Sequence, residues 1–369
     1  MYIITGDKKP GKNTMNNMLD NAASCRPYPW AVELFAEKSM ELFANQESAG
    51  ALGVKSAKAM EDAAEQLASS LAPGYGVLFC NTATDALRAA VTTALRGKRS
   101  PISLTTKAEH PALLKALEEK SEVHFCKLNK NGSFQMPEEG DPALFAVHHV
   151  NAETGIIQDP AELKKQLSPE TIFLLDTTQS VCRIPVPGNI PDFLTVSGCK
   201  IGAPCGAALL YRKEFQNRIK ILRSEEHGIG RCSPAAAIVL SETVRRGIKD
   251  LEQRRFKAES LRKLLKESLA DLEIQYTADG VESSPWINHF LLPGYQGGIL
   301  VRMLLENGIT VSAGSACSSE TPEPSAVLRG LGYPANEAYS ALRVSFSDDT
   351  EAEEVLFFAN TLHTLLKNY

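Results

Sequence analysis

Two apolar runs of strand length end in polar turns that carry complementary chemistry. Residues 171–175 run into Asp176-Thr-Thr-Gln179, and residues 192–196 run into Ser197-Gly-Cys-Lys200. Runs that are apolar at every position, not at alternate ones, suit strands buried on both faces, as in parallel sheets covered by helices. Similar runs recur at 76–80, 102–106, 122–128, 144–150, 172–175, 193–196 and 207–211, several separated by helical spacing such as 57–71 and 84–95. The pattern predicts an α/β domain whose mostly parallel sheet is sandwiched by helices. In such sheets ligands bind beyond the carboxyl ends of the strands, where Asp176 and Lys200 fall.

Residues 234–272 hold few helix breakers and read as one long helix, or two in series, leading out of the sheet domain. Beyond them, 288–292, 298–307, 310–313, 341–346 and 350–366 mix strand and helix patterns on a smaller scale. The expectation is therefore a large domain over 17–250 and a smaller α+β domain over 251–369. The polar stretch 1–16 is expected to be an arm, flexible or packed on the small domain.

A chain of 369 residues with net charge −5 has no basic footprint for nucleic acid or an anionic membrane surface. The pairs Arg245-Arg246 and Arg254-Arg255 read as a solvated helix face. No apolar run approaches a membrane span, and residues 1–9 lack a signal-peptide core, so the cytoplasm is expected. The eight cysteines show no CxxC spacing, which leaves neither a zinc site nor a disulfide framework to expect. Most sit among apolar neighbours as small buried side chains. Cys317 differs: the loop 311–324 around it is built of Ser, Ala, Gly and Pro, so its thiol is expected to be accessible and nucleophilic when deprotonated.

An amine and a carboxylate delivered from neighbouring strand ends suit pyridoxal phosphate. That cofactor needs a lysine for its Schiff base and an acid that keeps its ring nitrogen protonated. The other signals are weaker one by one. Backbone N–H groups around Ala83 and Thr84, with the Thr84 hydroxyl, would hold a phosphate at a helix start, or the segment is an ordinary helix cap. Ser197 would add a phosphate hydrogen bond. His110 would stack on a flat ring, or merely open a helix before Pro111. Asn151 is expected level with Asp176, Gln179 near the ring's phenolic oxygen, and Arg343 either forks onto a substrate carboxylate or forms a surface ion pair. His148 and His149 point to opposite sides, and no metal role is assigned to either.

In their order along the chain these segments resemble the cysteine desulfurases of the nitrogen-fixation type (group I). Those belong to the class V aminotransferase superfamily of fold-type I pyridoxal-phosphate enzymes. The matching segments include Leu19-Asp-Asn-Ala-Ala23, Glu109-His110-Pro111, Val150-Asn151-Ala-Glu153-Thr-Gly155, Asp176-Thr-Thr-Gln179, Ser197-Gly-Cys-Lys200, Gly314-Ser-Ala-Cys317, Glu323-Pro-Ser-Ala-Val-Leu-Arg329 and Leu342-Arg343-Val-Ser345. The resemblance implies that Lys200 bears the cofactor, Asp176 pairs with its ring nitrogen, His110 stacks on it and Gln179 bonds its phenolic oxygen. Thr84 and Ser197 would hold its phosphate, while Asn151 and Arg343 would bind the carboxylate of L-cysteine. Cys317 would take the sulfur as a persulfide and leave alanine. A homodimer is implied, with a phosphate contact crossing from the partner subunit, and so is a sulfur-acceptor protein such as those of iron–sulfur cluster assembly.

This chain departs from that pattern at Cys199, where the family carries His before the lysine. It departs again at Gly230-Arg231-Cys232-Ser233, where Ser233 stands in for the Thr of the crossing phosphate contact. Two other readings stay open: a selenocysteine lyase or aminotransferase on the same fold, and a diverged, non-catalytic partner protein.

Overall fold

The computed structural model describes residues 17–136, 141–225, 232–314 and 324–369. Its centre is a seven-stranded sheet in the order Gly76–Cys80, Ala207–Tyr211, Phe193–Ser197, Ile172–Asp176, Leu144–His148, Ile102–Thr105, Glu122–Phe125. The last five pair in parallel, and Ala207–Tyr211 runs antiparallel to both of its neighbours.

The four central strands from Leu144–His148 to Ala207–Tyr211 are buried at every position, as the unbroken apolar runs require. Successive side chains point to opposite faces. Phe145, Phe173, Leu194 and Leu210 therefore join Leu67, Leu71, Leu240 and Val244 on one side. Ala146, Leu174, Phe193 and Leu209 meet Leu87, Val91, Leu113 and Leu222 on the other.

Some boundaries differ from expectation. The predicted strand over 122–128 divides: Glu122–Phe125 stays in the large sheet, and Lys127–Leu128 turns away to pair with Phe134–Gln135. The stretch 234–272 forms two helices, Pro234–Lys249 and Leu251–Ser268, parted at Asp250. Arg254 is no solvated residue; its guanidinium is largely buried, 2.5 Å from Asp348. Near the start of the described chain, Asn17 is buried, and Asn17–Met18 pairs in parallel with Ile309–Thr310.

A three-stranded antiparallel sheet (Gln275–Tyr276, Ile287–Leu291, Ala341–Ser345) packs with the helices Leu251–Ser268 and Ala352–Lys367 around Phe290, Leu342, Val344, Phe358 and Leu362. No described helix is long and apolar enough to cross a membrane.

Candidate active site

The carboxyl ends of the parallel strands open into a cavity of about 730 Å³. Asp176 closes one strand with its Oδ1 fixed by the Thr178 backbone N–H at 3.0 Å and the Thr195 hydroxyl at 2.7 Å. Both bonds fall on Oδ1, which leaves Oδ2 for a ligand. The next strand ends in a tight turn, Gly198–Lys200. Only glycine fits at its start, because a Cβ on Gly198 would come within 2.6 Å of the Cys205 carbonyl oxygen. That turn aims the half-buried Lys200 into the cavity, where Nζ donates to the Ala23 carbonyl. Burial, helped by the nearby charges of Arg183 and Arg343, holds the Lys200 pKa below the ordinary lysine value. A lysine so tuned offers a neutral amine more readily than one in water.

The helix Ala83–Leu95 begins at the rim, and Asn81, Thr82, Ala83 and Thr84 all line the cavity. Its cap is Thr82, whose hydroxyl accepts from Asp85 N–H at 3.1 Å, so Thr84 is not the capping residue. Ser197 faces the same space, its hydroxyl 3.2 Å from the Cys199 thiol. Cys80, Cys126, Cys182 and Cys232 are buried as expected of most of the cysteines, but Cys199 is exposed and, with the half-buried Cys205, lines the cavity. Ser233 lies apart from this lining. It caps the helix Pro234–Lys249, accepting from Ala236 N–H.

His110 caps the helix Pro111–Glu118: its Nδ1 accepts from Ala112 N–H at 3.1 Å, so the ring proton sits on Nε2 and the ring face is not consumed. Gln179 is held between Ala22 O and the Arg183 guanidinium. Asn151 shapes its own turn, its Oδ1 accepting from Glu153 N, Thr154 N and the Thr154 hydroxyl while Nδ2 donates to Ala108 O. The residue level with Asp176 is His148, not Asn151. Arg343 reaches the cavity from the small sheet, Nη1 on Ala152 O at 2.8 Å and Nη2 on Asp20 Oδ1 at 2.7 Å. It is buried, so the surface ion pair is excluded.

Two buried carboxylate–imidazole pairs flank the site and are invisible to spacing arguments. Glu109 Oε2 accepts from both His148 N–H (2.8 Å) and the His148 ring (2.9 Å), while Oε1 accepts from Thr106 (2.6 Å). Burial opposes charge on His148, but Glu109 and, less strongly, Asp176 outweigh it and hold its pKa above the ordinary value. His289 lies 3.7 Å from Glu153, and its Nε2 has no hydrogen-bond partner among the described residues. Burial, then Arg343, pushes its pKa down to about 3. Glu153 also accepts from Ser325, and a Cβ on Gly314 would sit 2.8 Å from it. Cys317, like the expected arm 1–16, Gly230, Arg231 and Glu323, lies outside the described residues. Among the described residues no cluster of His, Cys, Asp and Glu is suited to a metal.

An amine and a carboxylate on adjacent strand ends, a helix start and a buried arginine thus face one cavity. Residues 17–358 match the family model described as aminotransferase class-V, and the chain belongs to that family. It is 29% identical over 359 residues to a cysteine desulfurase of Nostoc sp., covering 91% of this chain and 89% of that one. It is 30% identical over 327 residues to the cysteine desulfurase IscS of Salmonella typhi, covering 82% and 80%. Among solved structures, a NifS-like protein from Rickettsia africae superposes with a TM-score of 0.83 at 21% identity, covering 95% of this chain and 99% of that one. This likeness bears out the fold-type I architecture expected from the sequence.

Proposed function

We infer that this protein is a pyridoxal-phosphate-dependent L-cysteine desulfurase of the nitrogen-fixation (group I) type. The carrying observation is that Lys200 Nζ, Asp176 and Arg343 face one cavity from two sheets. The residues present fit the cofactor. Asp176 Oδ2 would take the ring N–H, the N–H groups at Ala83 and Thr84 with Ser197 would take the phosphate, and His110 offers a ring face. Gln179 and Asn151 each keep one amide N–H for ring or substrate oxygens. Bound there, the cofactor supplies an electron sink for the substrate's Cα.

Lys200 serves as the cofactor-bearing amine, and its lowered pKa favours the neutral form that bond formation needs. Its Nζ then moves the proton away from Cα. Arg343 orients the substrate carboxylate, a fork-to-carboxylate contact that suits guanidinium geometry. The Cys317 thiolate attacks the substrate sulfur: an S–S bond forms, the C–S bond breaks, and L-cysteine leaves as alanine with Cys317 carrying S–SH. The reading includes a homodimer in which Ser233 reaches the partner's phosphate site, domains over 17–250 and 251–369, a cytoplasmic location and a protein that accepts the sulfur.

Incubating L-cysteine and a reductant with the parent protein and with Cys317→Ala tests the reading. Equal sulfide and alanine from the parent, both lost in the variant, support it. Sulfide release by the variant at the parent rate overturns the role of Cys317. A keto acid in place of alanine overturns desulfuration in favour of transamination.

A further inference from the structure

The turn 19–25 touches Lys200, Gln179 and Arg343, three of the groups assigned above to cofactor or substrate, and Arg183 beside them. Ala23 O receives Lys200, Ala22 O receives Gln179, Asn21 O receives Arg183, and Asp20 takes Arg343. Three of these are backbone carbonyls. The fourth is a negatively charged side chain.

We propose that Asp20 is the resident counter-ion of Arg343 and is exchanged for the carboxylate of an amino-acid substrate, so that Asp20 sets how tightly the site binds that carboxylate. This rests on the reading of Arg343 as the carboxylate seat. The donors of Arg343 point to exchange at one atom. Nη1 is held by a backbone carbonyl that the fold fixes, and Nε is buried with no partner among the described residues. Nη2 is the donor whose partner is a side chain able to swing away, and that partner and Arg343 both line the cavity.

The Asp20 backbone, by contrast, is pinned. Its carbonyl accepts from Ala23 N–H, and it bridges to Ser345 on the strand that carries Arg343. Only its carboxylate is free to turn. Two carboxylates on one guanidinium repel each other, so an incoming substrate must displace Asp20 or bind against its charge. Asp20 is paired with Arg343, one of two guanidinium groups that act on Lys200, the other being Arg183.

The test titrates the full-length, cofactor-loaded protein with L-alanine and with ethylamine, which differ by the carboxylate alone, and follows the cofactor's visible absorbance. In Asp20→Asn, L-alanine is expected to bind about five-fold tighter or more, and ethylamine within about two-fold of the parent. Asp20→Glu, which keeps the charge, should bind L-alanine no more tightly than the parent. Asp20→Ser removes the charge by a second route should the Asn variant fold poorly. Unchanged or weaker L-alanine binding in both uncharged variants overturns the proposal and makes Asp20 an orienting partner of Arg343. A parent that binds ethylamine as well as L-alanine overturns the Arg343 reading itself, and the proposal with it.

Discussion

The Glu109–His148 and Glu153–His289 pairs look alike on paper and behave in opposite ways. Each buries a glutamate beside a histidine at the edge of the same cavity. His148 lies 2.9 Å from Glu109, shares a strand register with Asp176, and is held toward its charged form. His289 lies 3.7 Å from Glu153, faces Arg343, and is held neutral. The Glu153 carboxylate is shared with Ser325, and Arg343, the charge that acts on His289, has the wrong sign to stabilise an imidazolium. A carboxylate within 4 Å does not by itself charge a histidine. A direct hydrogen bond and the sign of the next neighbour decide.

The sharpest way to break this comparison is to remove each glutamate. Glu109→Ala strands a buried imidazole, a backbone N–H and the Thr106 hydroxyl, and should cost about 3–5 kcal/mol in denaturant unfolding of the full chain. Glu153→Ala removes the acceptor of the Ser325 hydroxyl beside a neutral imidazole, and should cost about 1–3 kcal/mol. Equal losses would show that the two pairs are energetically equivalent after all.

The pH dependence separates them by sign. The folded-state pKa of His148 is raised, so its stabilisation is complete below the ordinary value of 6.5 and fades as pH climbs through the raised one. His289 has a folded-state pKa lowered to about 3, so its neutral burial stabilises above 6.5 and is lost as pH falls from 6.5 toward 3. Imidazole resonances should show one ring titrating above 6.5 and another still neutral at pH 5. Assignment by His148→Gln and His289→Gln would sink the comparison if the two were reversed. The smallest effect is Thr106→Val, which removes one bond to Glu109 and should cost about 1 kcal/mol while lowering the His148 titration point only slightly.

The sheet was legible because burial on both faces writes itself into consecutive residues, as in Ile172–Asp176. Lys200 and Asp176 were legible because their chemistry follows strand ends that local pattern marks. Thr82 as the particular cap was not, because several Thr and Asp residues there cap equally well in sequence terms. His148 was passed over since its partner lies 39 residues away, and Asp20 since its partner lies 323 away. No local periodicity reports such contacts. Cys199 was noticed only as a departure from the family, and its accessibility in the cavity depends on the tight turn that Gly198 permits.

The turn 19–25 also imposes an order on biosynthesis. Asp20 can close on Arg343, and Leu19 can receive the Ser345 N–H, only when the strand Ala341–Ser345 has been made. At typical translation speeds that is a wait on the order of tens of seconds after the turn itself leaves the ribosome. Through that interval the turn's polar groups are solvated, and the cavity has one wall missing. Arg343 arrives on that strand, which makes the last of the described strands to be translated the step that completes the cavity wall.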